Sequence, residues 1–272
     1  MLPKTYVITG SASGIGRCLL EKLAGENIIF AGYRTSGQED FLKSISANIY
    51  PFYVDYTKQD TITEACRYIK SECEKIDTLV NIAGCVVAGP AECIDINELR
   101  CQFDVNVFGH INLAQQLAEK MSCGKIINVS SMASFGFFPF ISPYCASKRS
   151  LDILFNAFCL ENKKNIKVIS IKPGVIATPL WGKSIQENSK YFEKFGEYEK
   201  EMAYVIKNAE SNEIKGLPAE KVADVIIKAD KSKNPKLSYT VGKDAFIANL
   251  IAKLPQNIIN YIIKMGIKLR CK

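Results

Sequence analysis

The sequence predicts one α/β domain built on a doubly wound, parallel sheet of about seven strands with helices on both faces. Three observations carry this. Short β-branched runs alternate with longer helical patterns for most of the chain. Those runs are almost continuously apolar, as strands buried on both faces must be. The 272 residues contain no linker-grade tract, internal repeat or low-complexity segment, which suits a single domain.

Tyr6-Val7-Ile8 is the first strand, and residues 14–24 form a helix with Ile15, Leu19, Leu20 and Leu23 on one face. Residues 28–31 and 49–54 are the second and third strands, and 61–76 the helix after the third. Thr78-Leu79-Val80-Asn81 is the fourth strand, followed by one long helix over about 96–121. Residues 125–129 are the fifth strand, 144–162 another long helix, and 167–171 the sixth strand. Right-handed crossovers close this alternation into a doubly wound sheet. Residues 180–217 are polar, charged and aromatic without a strand pattern. They follow the sixth strand, where such sheets bind ligands beyond the strands' carboxyl ends, and are expected to form a substrate lid. Residues 243–272 are expected to be a helical tail.

Composition excludes several function classes. Hydrophobic residues make up 47% and charged residues 23%, which argues against disorder. Ten cysteines are scattered without a C-x-x-C pair, and the one histidine is His110, so no metal site is expected. Free thiols point to a reducing, cytoplasmic compartment. Neither a secretory signal nor a run of ~20 apolar residues is visible. The net charge is +7, yet no nucleic-acid-binding motif accompanies it, so a solvated basic surface is expected rather than nucleic-acid binding.

Thr9-Gly10-Ser11-Ala12-Ser13-Gly14-Ile15-Gly16 joins the first strand to the first helix. Gly10 permits a tight turn, Gly14 lets backbone approach a pyrophosphate, and Gly16 lets helix and strand pack closely. The helix N-terminus then offers amide hydrogens to phosphate. The T-G-x-x-x-G-x-G spacing resembles the short-chain dehydrogenase/reductase family, which implies a Rossmann-type fold and a nicotinamide cofactor contacted around Ser13 and Ile15. An NAD(H) enzyme would carry a carboxylate at the end of the second strand, but Tyr33 stands there, followed by Arg34 and Thr35. A guanidinium suits a 2′-phosphate, so NADP(H) is expected rather than NAD(H), held by Arg34 with hydroxyls from Ser13 and Thr35. Asp55 resembles the family's aspartate beside the adenine, and is otherwise a helix cap.

Tyr144-Cys145-Ala146-Ser147-Lys148 sets a tyrosine and a lysine on one helical face. Carbonyl reduction needs an acid and the reverse a base; a free tyrosine, pKa ~10, is a poor base, and a neighbouring ammonium with the oxidised nicotinamide's charge lowers it toward the working range. Ser131 stands thirteen positions before Tyr144, matching the family's serine-to-tyrosine spacing. The resemblance implies that Ser131 hydrogen-bonds the substrate oxygen, and that Asn106 holds a water linking Lys148 to solvent. Asn81-Ile82-Ala83-Gly84 resembles the family's N-N-A-G, with Ile82 departing from it. That motif braces the sheet and lines the cofactor site, Asn81, Ala83 and Gly84 included. Pro173-Gly174-Val175-Ile176-Ala177-Thr178 resembles the P-G-x-x-x-T segment, whose Ile176 backbone and Thr178 hydroxyl would hold the carboxamide, with Pro173 and Gly174 at the site. The matches run from Thr9 to Thr178, about two-thirds of the chain.

Val86, Val87, Phe135, Phe137, Phe138, Phe140, Ile141, Leu180 and Trp181 make an apolar pocket the expectation. It suits a lipophilic alcohol or carbonyl compound, and the tail resembles family members acting on steroids or retinoids. Ile258, Ile262, Met265 and Leu269 share a helical face near Lys264, Lys268, Arg270 and Lys272. Docking of that face on the protein's own core or on a subunit is the first expectation, and a peripheral membrane contact the second. In the family, the helices carrying Asn106 and Tyr144 are usual subunit contacts, implying a homodimer or homotetramer. A non-catalytic NADP(H)-binding sensor is the alternative, but it would not need Tyr144 and Lys148. An epimerase of the extended branch would usually begin T-G-x-x-G-x-x-G, which is not the spacing here.

Overall fold

The computed structural model describes residues 3–189 and 196–270. Among them lie β1 (Thr5–Ile8), β2 (Ile28–Tyr33), β3 (Ile49–Tyr53), β4 (Thr78–Asn81), β5 (Lys125–Val129), β6 (Lys167–Pro173), β7 (Ile176–Ala177), β8 (Leu217–Pro218) and β9 (Ser238–Val241). Seven of these pair, all in parallel, in the order β3-β2-β1-β4-β5-β6-β9, while β7 and β8 form a small parallel pair of their own. The chain winds outward from β1 in both directions, so the order reverses between β1 and β4 and opens a crevice at their carboxyl ends.

The helices are α1 (Gly14–Leu23), α2 (Gln38–Ile45), α3 (Gln59–Glu72), α4 (Ile96–Phe103), α5 (Gly109–Leu117), α6 (Ser142–Glu161), α7 (Leu180–Ser189), α8 (Glu199–Lys215), α9 (Ala219–Lys231), α10 (Lys243–Ile251) and α11 (Gln256–Arg270). Successive strand residues point to opposite faces, and each finds a core. Ile8 packs with Leu19 and Leu20 of α1 and Val222 and Ile226 of α9. Val7 packs on the other face with Ile62 and Ile69 of α3, Leu113 of α5 and Phe155 of α6. Burying each such side chain contributes about 1.5–3 kcal/mol. At the end of the sheet away from the crevice, Asp230 accepts hydrogen bonds from Lys4 Nζ (2.8 Å), Tyr6 Oη (2.8 Å) and Thr78 Oγ1 (2.6 Å). One buried carboxylate thus ties β1 and β4 together below the point where they diverge.

The elements differ from the sequence reading in four places. α2, eight residues with only Leu42 buried, carries too short an apolar stripe to stand out. The helix expected over 96–121 is broken by a π-helical turn, Asp104–Phe108, and ends at Leu117 before a 3₁₀ turn. The 180–217 segment is largely helical, as α7 and α8, with residues 190–195 outside the described residues. Finally, the tail does not dock on the protein's own core through its apolar face. Ile258, Ile262 and Met265 are 43%, 41% and 41% exposed, while the side chains of Lys268, Leu269 and Arg270, and Cys271 and Lys272 altogether, lie outside the described residues. No helix among the described residues is long and apolar enough to cross a membrane.

Candidate active site

The crevice is lined first by the turn after β1. Gly10 has φ +64°, and a Cβ on it would lie 2.9 Å from the Ala83 backbone nitrogen. A Cβ on Gly16 would lie 2.1 Å from the Gly10 carbonyl oxygen, so only glycine lets α1 begin this close to the turn. Ser11 Oγ donates to the Gly32 carbonyl at 2.8 Å, and Thr9 Oγ1 accepts from the backbone of Ile82 (3.0 Å) and Ala83 (3.3 Å). These bonds hold the β1 turn against the ends of both neighbouring strands. Ser13 stands at the N-cap of α1, but its hydroxyl does not cap the helix.

Two confluent cavities share Gly10, Ser13, Ala83, Gly84 and Leu180 and form one groove. At one end it is lined by Arg34, Thr35 and Asp55, with Lys183 and Glu187 of α7 facing them. At the other it is lined by Gly14, Ile15, Ser131, Tyr144 and Lys148, and by Pro173, Gly174, Ile176 and Thr178. Arg34 Nη2 lies 3.7 Å from Glu187 Oε1, both side chains being about half exposed. Asp55 accepts from the Thr57 backbone (3.0 Å) and hydroxyl (2.7 Å), so it both lines the groove and closes the turn before α3.

Three sequence-derived site residues stand outside the groove lining. Gly16 serves packing, as above. Asn81 is buried, donating from Nδ2 to Asn128 Oδ1 at 2.8 Å, and braces β4 against β5. Asn106 is buried in the π-helical turn, where its Oδ1 accepts from Cys85 N (2.9 Å) and its Nδ2 donates to Cys85 O (2.9 Å) and Ser147 Oγ (3.0 Å). Both amide donors are therefore spent on protein groups. Gly84 lies close to two groups of the site: a Cβ there would crowd Asn106 Oδ1 at 3.2 Å and touch Lys148 Nζ at 3.6 Å.

α6 starts at Ser142 with Pro143 in its first turn, a position that needs no backbone donor. Its buried face runs through Tyr144, Lys148, Leu151 and Phe155, at helical spacing. Lys148 Nζ donates to the Val129 carbonyl at 2.9 Å and sits 5.8 Å from the centroid of the Tyr144 ring. Burial pushes the Lys148 ammonium down to about 8, with the Asp152 carboxylate working against it. Burial pushes the Tyr144 hydroxyl up to about 12, a hydrogen bond to Ser131 working against that. The sequence reading expects a tyrosine lowered by its lysine together with the charge of an oxidised nicotinamide. Of the protein's own groups, burial acts most strongly on Tyr144, and Lys148 Nζ donates to a backbone carbonyl. Ser131 Oγ also accepts from Ala133 N at 3.1 Å, which fixes the hydroxyl at the end of β5.

Of the expected apolar lining, Val86, Phe138, Ile141 and Leu180 cluster with Tyr144, and Leu180 and Trp181 line the groove. Phe137 is 38% exposed, the Phe140 ring meets Tyr198, and the Phe135 ring lies under Lys172 Nζ at 4.7 Å. Several contributors were invisible to sequence reasoning. Asp244 of α10 accepts from Val175 N at 2.6 Å, and Gly174 is glycine where a Cβ would strike that carboxylate at 2.0 Å. Asp152 of α6 lies 2.7 Å from Lys172 Nζ, an ion pair rather than an aligned hydrogen bond, and accepts from Ser170 Oγ at 2.9 Å. The one local signal that could have pointed to any of these is Gly242-x-Asp244, a glycine shortly before an acidic helix start.

Comparison with known proteins agrees with this geometry. The family model for short chain dehydrogenase matches residues 4–189. The chain is 30% identical over 276 residues to the NADPH-dependent 3-dehydrocapnine reductase of Ornithobacterium rhinotracheale, covering 96% of each. It is 28% identical to the 3-ketodihydrosphingosine reductase of Bacteroides thetaiotaomicron, over 99% of this chain and 100% of that one. The crystal structure of a short-chain dehydrogenase from Streptomyces avermitilis superposes with TM-score 0.77 at 25% identity, covering 98% of this chain and 97% of that one. The family model and these relatives settle the membership: this chain belongs to the short-chain dehydrogenases/reductases, oxidoreductases that interconvert CH–OH and carbonyl groups with NAD(P).

Proposed function

We propose that this chain is an NADP(H)-dependent reductase of a lipophilic ketone or aldehyde, working reversibly, with Tyr144 as the acid and base. The observation that carries the reading is the convergence of Ser131, Tyr144 and Lys148 on one end of a groove whose other end holds Arg34. The groove fits a dinucleotide by its own construction, since side chains at Gly10 and Gly14 would fill it, and both have positive φ (+64° and +51°). Ser13, Gly14 and Ile15 would take the pyrophosphate at the start of α1, Arg34 and Thr35 the 2′-phosphate, and Asp55 the adenine. Ala83 and Gly84 would flank the ribose, and Pro173, Gly174, Ile176 and Thr178 the carboxamide. When bound, the nicotinamide supplies or accepts hydride.

The residues then divide the remaining work. With its hydroxyl near 12, Tyr144 is protonated at neutral pH, and Lys148, near 8, is still charged. Reduction starts from that pair of states: Tyr144 gives its proton to the carbonyl oxygen, while Ser131 donates a hydrogen bond to the same oxygen. The phenolate left behind is neutralised by the ammonium. Asn106, whose Oδ1 lies with Lys148 Nζ beside Gly84, would hold the water that returns the proton to Lys148. α7, the start of the 180–217 segment, acts as a lid, since Leu180, Trp181 and Glu187 lie along the groove. The lipophilic substrate is supported by the apolar cluster around Tyr144 and by two relatives whose names specify a dehydrocapnine and a ketodihydrosphingosine. A homodimer or homotetramer is supported by exposed apolar side chains on the helices in question, Phe108 at 53% and Ile153 at 56%. The described cysteines are free thiols, which accords with a cytoplasmic setting.

The test is NADPH oxidation, followed by absorbance, against long-chain and short ketones. Tyr144→Phe is expected to lower kcat by about 10²–10⁴-fold with NADPH binding retained. Arg34→Ala is expected to weaken NADPH by at least tenfold and leave NADH unchanged, for loss of a charged hydrogen bond of about 1.5–3 kcal/mol. Full activity in Tyr144→Phe, or preference for NADH in the wild type, would overturn the reading.

A further inference from the structure

The last two helices present apolar side chains that nothing among the described residues covers. On α10, Phe246, Ile247 and Leu250 are 56%, 57% and 64% exposed, and Leu254 follows at 41%. On α11, Tyr261 is 67% exposed and stands one turn from Ile258 and Met265, with Ile262 beside it. Single exposed hydrophobics are ordinary, but eight within twenty residues form a patch of the kind that marks an interaction surface. We propose that α10 and α11 lie on an anionic lipid surface, with the active-site groove opening beside it.

Charge decides between occupants. From Ala245 to Lys272 the chain carries Lys253, Lys264, Lys268, Arg270 and Lys272 and no aspartate or glutamate. Lys253 and Lys264 are exposed, each three residues from an exposed apolar side chain, Leu250 and Tyr261. A second copy of the chain, meeting this face about a two-fold axis, would set cation against cation. A bilayer rich in anionic headgroups receives apolar side chains at the acyl boundary and lysines at the headgroups together, each lysine strengthening binding about fivefold.

The surface is joined to the active site. α10 begins at Lys243, and Asp244 in its first turn holds Val175 N at 2.6 Å, next to groove residues Gly174 and Ile176. Gly174 N donates to the Val241 carbonyl of β9 at 2.8 Å, so the strand leading into α10 is fixed to the same segment. An apolar substrate, which is the part resting on the proposed function, would pass from lipid to groove past α10 without crossing bulk water.

The experiment uses the full chain and sedimented vesicles, either phosphatidylcholine alone or phosphatidylcholine with phosphatidylglycerol. Binding to the anionic vesicles at least tenfold tighter than to the neutral ones, and released by high salt, is expected. Leu250→Glu with Tyr261→Glu should reduce it at least tenfold, while melting temperature and turnover of a water-soluble ketone stay unchanged. Equal or no binding to the two vesicle types, or undiminished binding by the double variant, overturns the proposal. So does a fall in oligomeric size in the double variant, which would assign the face to a second copy. Vesicle binding needs no turnover, so a wild type that binds vesicles but reduces no ketone refutes the catalytic reading alone.

Discussion

Replacing Lys148 with methionine should stabilise the protein at neutral pH while abolishing its chemistry. The side chain is 4% exposed, and burial brings its ammonium from 10.5 to about 8. The sign follows from proton binding. Between those values the unfolded chain holds a proton that the folded chain has released, so stability rises with pH across the window. Below about 8 the folded state carries a charge its surroundings disfavour, a cost of about 3 kcal/mol at pH 7 that falls to about 1 kcal/mol at pH 10. Lys148→Met removes that cost with little change in volume and forfeits the bond to the Val129 carbonyl, worth about 1 kcal/mol. The net gain is about 2 kcal/mol at pH 7 and about zero at pH 10. Urea unfolding at both pH values, at one fixed protein concentration, would show the variant's midpoint higher by roughly 0.5–1 M only at pH 7. A midpoint difference that is the same at both pH values would refute the assignment of a strained, buried ammonium.

Asp152→Asn leaves the Lys172 ammonium, only 10% exposed, without its counter-charge, and should cost about 3–5 kcal/mol, read as a melting temperature lower by about 10 °C. Asp152→Leu with Lys172→Met should recover most of that loss, and a double variant as unstable as the single would refute the ion-pair account. Gly16→Ala forces a methyl to within 2.1 Å of the Gly10 carbonyl, so the turn must shift; a loss of about 3 kcal/mol in urea unfolding together with weakened NADPH binding is expected. Unchanged NADPH affinity in a folded Gly16→Ala variant would show that the turn does not hold the cofactor.

How far the sequence could be read depends on how local each determinant is. The turn Gly10–Gly16 and the Tyr144–Lys148 pair lie within single elements, where spacing fixes direction. Their arrival in one groove follows from strand–helix alternation and crossover handedness alone. The parts that were missed depend on residues far apart in the chain. Asp244 reaches Val175 across sixty-nine positions, and Asn106 reaches Cys85 across twenty-one. Neither contact leaves a periodic trace. The π-helical turn at Asp104–Phe108 was unreadable for a related reason: Val105, Asn106 and Val107 are all buried, so there is no single apolar face whose shift would betray the extra residue. Its consequence is functional as well as geometric. By swinging Asn106 onto Cys85 and Ser147, the turn ties the segment after β4 to α6, which carries Tyr144 and Lys148. A family motif can name Asn106 from sequence, but only the tertiary register explains why an amide is required there: a carboxylate in its place could not donate to Cys85 O and Ser147 Oγ, and would set a second negative charge near the ammonium that Asp152 already attracts.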